Sequence, residues 1–144
     1  MHTIHPFLVH FPIALLALCL VFELVAWFSR KPALSQVGWW LQVVGTVGVI
    51  VAALSGVVAE ASAGTALLRA ADTFEWHEQL AFAACAVFAV LLFFRFSSHR
   101  ALPDGWPRLY LAALAVGVVL VLMTGWVGGE LVFRYGVGVV SPSP

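Results

Sequence analysis

The chain has 144 residues, 62% of them hydrophobic and only 10% charged, with a formal net charge of zero. That apolar share and a mean hydropathy of +1.02 exclude an ordinary water-soluble globule, whose apolar fraction is about 45–50%. The sequence carries no basic tract, which argues against nucleic acid as a partner and leaves the lipid bilayer as the expected surroundings.

Four apolar runs reach the ~20 residues that a bilayer-crossing helix needs: residues 6–28, 38–59, 73–96 and 109–131. Short polar connections join them. The expected fold class is therefore all-α, an integral membrane four-helix up-and-down bundle formed by a single domain, 1–144. Pro6 suits the first helical position of span one, and Asp72 with Glu75 reads as a capping pair that starts span three at Thr73. No Lys or Arg precedes the first run and no small-residue cleavage site follows it, so it reads as a retained span.

The cations set the expected orientation. Arg30 and Lys31 follow span one, and Arg95, Arg100 and Arg108 surround the third connection, whereas the second has Arg69 among Glu60, Asp72, Glu75 and Glu78. By the positive-inside rule both chain ends face out. Trp27, Trp39, Trp40, Trp106 and Tyr110 then form an inner aromatic belt, and Phe74, Trp76, Trp126 and Tyr135 an outer one. Residues 136–144, rich in Gly and ending in Pro, are expected as an extended external tail.

Within this frame His10 stands out, because an imidazole inside an apolar run needs a partner and points to function. His10 and His77 each lie four residues into spans of the same direction, so both rings fall about 6 Å below their helix starts. Glu60 and Glu130 close spans two and four near the same level. At ~100° per residue, Ala14, Ala17 and Val21 lie under His10 and Ala81, Ala84 and Phe88 under His77. Small-residue stripes run along span two (Gly48, Ala52, Gly56) and span four (Ala113, Gly117, Gly125, Gly129). Such stripes serve either close helix packing or a slot for a flat cofactor. Pro12 removes the amide that would bond the Leu8 carbonyl, so a bend is expected just below His10.

The remaining polar groups are assigned elsewhere. Glu23 lies ~140° around its helix from His10 and is expected to pair with Arg95 or hydrogen-bond Gln42. His5 either lines the outer mouth or sits in water, and His2 and His99 fall at the membrane edges. Cys19 and Cys85 form no Cys-x-x-Cys-His, which excludes covalent c-type haem; they read as buried free thiols packing as small apolar groups. Ser55 is the only serine within a span, and no Ser, His and acid arrangement accompanies it, so no enzyme is expected.

The opening His5-Pro6-Phe7-Leu8-Val9-His10-Phe11-Pro12, the lone His77 and the stretch Thr124-Gly125-Trp126-Val127-Gly128-Gly129-Glu130 through Arg134-Tyr135-Gly136 resemble the bacterial domain-of-unknown-function family 2231 of four-span membrane proteins. The resemblance covers nearly the whole chain and brings no activity with it. Phe133 stands where many relatives carry tyrosine. Relatives joined to Rieske or cytochrome domains imply a redox setting by association; with the positive-inside orientation, the expected location is the bacterial inner membrane with both termini on the periplasmic side.

Three functional readings follow. In the first, haem b lies between spans one and three with His10 and His77 as axial ligands and Arg69 and Arg134 at the propionates. Such a protein carries single electrons as a subunit of a larger membrane or periplasmic redox complex. In the second, His10 and His77 with Glu60 and Glu130 hold a Zn, Cu or Fe ion. In the third, the same residues only fix helix register in a cofactor-free structural or assembly subunit.

Overall fold

The computed structural model describes residues 4–61, 65–98 and 107–139. The helices are α1 (Ile4–Leu8), α2 (His10–Ser29), α3 (Pro32–Glu60), α4 (Thr65–Arg69), α5 (Ala71–Ser97) and α6 (Pro107–Phe133). Val9, itself helical in backbone angles, joins α1 to α2, so Ile4–Ser29 acts as one rod. Pro12 has no amide for the Leu8 carbonyl, and the regular ladder is interrupted beside it, at Val9. With that rod counted once, four helices among the described residues are long and apolar enough to cross a membrane. The expectations for His2, His99, Arg100, Trp106 and residues 140–144 lie outside the described residues.

Local chemistry explains the ends. Arg30 turns the chain after α2 with φ 55°, which lets Lys31 N–H bond back to the Ala26 carbonyl at 3.2 Å, and Pro32 then opens α3 where a missing amide costs nothing. The expected start of span three is corrected. Helix α5 begins at Ala71 with no side-chain cap, and Glu75 Oε1 accepts from Gln79 Nε2 one turn on instead. After α6, positive φ at Gly136 and Gly138 folds residues 136–139 into turns rather than an extended strand, with Val137 N–H on the Leu131 carbonyl.

The rods form a square. The largest contacts are α2 with α3 and α5 with α6, and α3 with α5 and α2 with α6 close the other two sides. Helices α2 and α5 are therefore diagonal partners across the bundle axis. Leu16, Val49, Phe88, Leu114, Val118 and Val121 meet in the centre, while Phe28, Phe93, Trp126 and Phe133 lie exposed on the outer surface. That inversion of a soluble pattern is what a bilayer requires, since acyl chains solvate apolar side chains and association rests on close packing.

Glycine supplies the close packing. A Cβ on Gly45 would come within 2.7 Å of Leu16 Cγ, and one on Gly117 within 2.9 Å of Phe88 Cζ. Gly48 is covered by Pro12, at 3.3 Å, and Gly125 by Ile13, at 3.2 Å. The stripes of spans two and four are thus filled by side chains along these positions, and the expectation of a porphyrin slot beneath the histidines is corrected accordingly. Gly45→Val is expected to cost about 1–3 kcal/mol through overpacking, seen as a lowered melting temperature of the detergent-solubilised protein.

Candidate functional site

Polar side chains gather at two levels of the bundle. One level holds histidines. His5 from α1 and His77 from α5 place their ring centroids 6.3 Å apart with planes at 87°. Each ring is half-buried and lies on a glycine of the neighbouring helix. A Cβ on Gly56 would sit 3.1 Å from His5 Cε1, and one on Gly128 3.0 Å from His77 Cε1.

The hydrogen bonds assign the ring protons. Ser55 Oγ donates to the Ala52 carbonyl at 2.7 Å, so in its 2.8 Å contact with His5 Nδ1 the serine must accept and the ring must donate. His77 Nδ1 lies 3.0 Å from the Thr124 carbonyl, which can only accept. Both neutral imidazoles therefore spend the Nδ1 proton on a fixed protein oxygen and retain an Nε2 lone pair.

His10 does not join them. Its ring is exposed and its Nδ1 lies 2.6 Å from the Pro6 carbonyl of its own helix, so the expectation that His10 faces His77 across the bundle is corrected to His5. The reason is helical phase. The buried residues of α2 are Pro12, Leu16, Cys19, Glu23 and Ala26, a 4-3 alternation that extends back seven residues from Pro12 to His5. His10 lies ~140° from His5 and off that stripe. In α5 the buried set is Ala84, Phe88, Leu91 and Arg95, and seven residues before Ala84 stands His77. A 4-3 count back from Glu23 through Leu16 and Pro12 is the sequence signal that selects His5.

The other expected ligands stay apart from the pair. Glu60 and Arg69 are exposed. Arg134, 68% exposed, lies 3.7 Å from Glu130 and stacks on the Tyr135 ring. Among the described residues no group of three or more His, Cys, Asp or Glu converges as a metal cage, which corrects the four-ligand His and Glu arrangement. Cys19 and Cys85 are free thiols; Cys19 Sγ points at the Gly38 carbonyl, 3.3 Å away.

The second level centres on Arg95, 1% exposed, which pairs with Glu23, 3% exposed. Arg95 Nη1 also donates to Tyr110 Oη at 3.0 Å, and Nη2 donates to the Ser35 carbonyl at 2.8 Å and Ser35 Oγ at 2.9 Å. Ser35 Oγ donates on to Glu23 Oε2, and Tyr110 Oη to Gln42 Oε1 at 2.7 Å. The guanidinium lies between the Trp39 and Tyr110 rings, 5.7 and 5.6 Å from their centroids. Gly38 admits the Glu23 carboxylate, because any Cβ there would collide with it. The expected pairing of Glu23 with Arg95 is present; Trp39 and Tyr110, expected in the inner aromatic belt, are instead buried within this network.

Leu16, Phe88 and Leu114, all fully buried, fill the bundle between the two levels. Removing one charge of the buried pair strands the other, so Arg95→Met is expected to destabilise the protein by roughly 3–5 kcal/mol, and Arg95→Met with Glu23→Leu by clearly less, read from thermal unfolding in detergent.

No curated protein and no solved structure matches the chain. The family model described as "Predicted membrane protein (DUF2231)" matches residues 1–141, and the chain belongs to that family of predicted membrane proteins.

Proposed function

We propose that this membrane protein holds one metal ion, copper foremost, between His5 Nε2 and His77 Nε2, and serves as a metal-holding subunit of a membrane redox complex rather than as an enzyme. The observation that carries the reading is the disposition of the ring protons. Both Nδ1–H groups are committed to protein oxygens, at 2.8 and 3.0 Å, and the two remaining lone pairs belong to rings in edge contact. Two unshared lone pairs on adjacent neutral rings form a nitrogen donor pair that one cation can take up together. Metal-bound histidines characteristically donate their second nitrogen to a carbonyl or another oxygen, which fixes the ring and raises its basicity.

Two imidazoles with no carboxylate or thiolate favour copper, which stands highest among the divalent first-row ions for nitrogen ligands. Haem b would draw on the same two nitrogens as axial ligands, but the macrocycle needs width, and Pro12, Ile13, Leu16 and Phe88 occupy the glycine positions that would have given it. A bare ion fits the closed bundle better. By the distribution of Arg30, Lys31, Arg95 and Arg108, the histidine end faces the periplasmic side of a bacterial inner membrane, where a redox partner subunit would reach it.

Detergent-purified protein loaded with copper and desalted is expected to retain about one copper per chain by elemental analysis. His5→Ala and His77→Ala are expected to lose it and His10→Ala to keep it. A dithionite-reduced haem band that vanishes in His5→Ala would transfer the site to haem, and retention of neither copper nor haem would overturn the reading.

A further inference from the structure

The contacts that hold α2 to α3 recur between α5 and α6, level by level. His5 lies on Gly56 as His77 lies on Gly128; Leu15 and Leu16 cover Gly45 as Val87 and Phe88 cover Gly117. Glu23 occupies the space left by Gly38 as Arg95 bonds Tyr110. Adding 72 to each residue number of the first set gives the second, in all three levels and for both partners. The hydrogen bonds keep the same count: His77 Nδ1 bonds the Thr124 carbonyl, and Ala52, 72 residues before Thr124, lends its carbonyl to Ser55, which holds His5.

We infer that the chain is two copies of one helical hairpin fused in tandem, related by a twofold axis along the bundle, and that Glu23 and Arg95 are the positions by which each copy selects the other. The square order of contacts accommodates such an axis, because the α2–α6 side and the α3–α5 side exchange under it. Because α2 and α5 run in one direction and α3 and α6 in the other, the repeats are parallel and the axis follows the membrane normal. Repeat-equivalent residues on the diagonal helices meet there, one pair at each level: His5 with His77 and Glu23 with Arg95.

An isologous contact between identical hairpins would set Glu against Glu or Arg against Arg. Like charges buried in a bilayer repel without solvent to screen them. Divergence at this one level, Glu23, Gly38 and Gln42 in the first copy against Arg95, Tyr110 and Leu114 in the second, turns a self-repelling contact into a complementary one. It favours pairing within the chain and penalises pairing of like hairpins from a second copy. The histidine level needs no such divergence, since neutral imidazoles tolerate an identical partner.

Two full-length variants test the duplication through folding alone, so the result does not depend on whether a metal is bound. The first transposes the diverged level: Glu23→Arg, Gly38→Tyr and Gln42→Leu together with Arg95→Glu, Tyr110→Gly and Leu114→Gln. The second is a circular permutant that opens at Thr65 and joins Pro144 to Met1, which a parallel repeat allows because the second copy then precedes the first. Exchanging Gly38→Tyr and Tyr110→Gly alone serves as the damaged control. Recovery by either variant of a monodisperse species melting within about 5 °C of the parent, with the control markedly lower, supports the duplication. Aggregation or a control-like melt of both variants would overturn it.

Discussion

A guanidinium and a carboxylate enclosed by four apolar helices impose the strictest condition on this bundle. Neither ion can be left alone at that depth, and neither can move without losing hydrogen bonds that Ser35, Gln42 and Tyr110 supply. Satisfying the pair fixes the rotation of α2 and α5 at once, since Glu23 and Arg95 must both point at the axis. It also fixes the approach of α3, because only glycine at position 38 leaves room for the carboxylate. Once those rotations are set, a step of seven residues carries Leu16 and Phe88 inward one level along, and a further step of eleven, about three helical turns, carries His5 and His77 inward at the far end.

The two polar levels are thus linked by helical geometry but differ in chemistry. At the Arg95 level the two charges meet each other and Arg95 Nη1, Arg95 Nη2, Tyr110 Oη and Ser35 Oγ all donate inside the protein, while Gln42 Nε2, Thr46 Oγ1 and Arg95 Nε are buried without a hydrogen-bond partner. At the histidine level the protein satisfies only the protonated side of each ring. A buried ion pair positions helices, whereas at the imidazole pair one nitrogen of each ring makes no hydrogen bond to the protein. The same scaffold therefore separates a charged level that specifies helix rotation from a level of two neutral rings.

Much of this was legible in the residues. Run length and hydropathy gave the four helices, and the rarity of charge within spans pointed Glu23 towards Arg95. His10 lies deeper in the apolar run than His5, so depth alone selects the wrong ring, whereas rotation about the helix axis selects His5. Phase counted from Glu23 in steps of seven and four reaches His5, but that count needs Glu23 accepted first as an inward residue. The glycine stripes could not be resolved from sequence, because a small residue opens space without stating whether a cofactor or the next helix fills it. Trp39 and Tyr110 likewise carry the composition of an interfacial belt, and only the tertiary position of Arg95 draws them inside. The inferred repeat is faint in sequence since lipid-facing positions drift freely among apolar residues; it shows in the matched His5 and His77, Gly45 and Gly117, and Gly56 and Gly128.

The apolar plug of Leu16, Phe88 and Leu114 has a directional consequence. An ion crossing it would shed every polar neighbour over that stretch, a barrier far above thermal energy. Whatever occupies the imidazoles must therefore arrive and depart by the same door, so its occupancy follows the composition of one aqueous compartment and is insulated from the other.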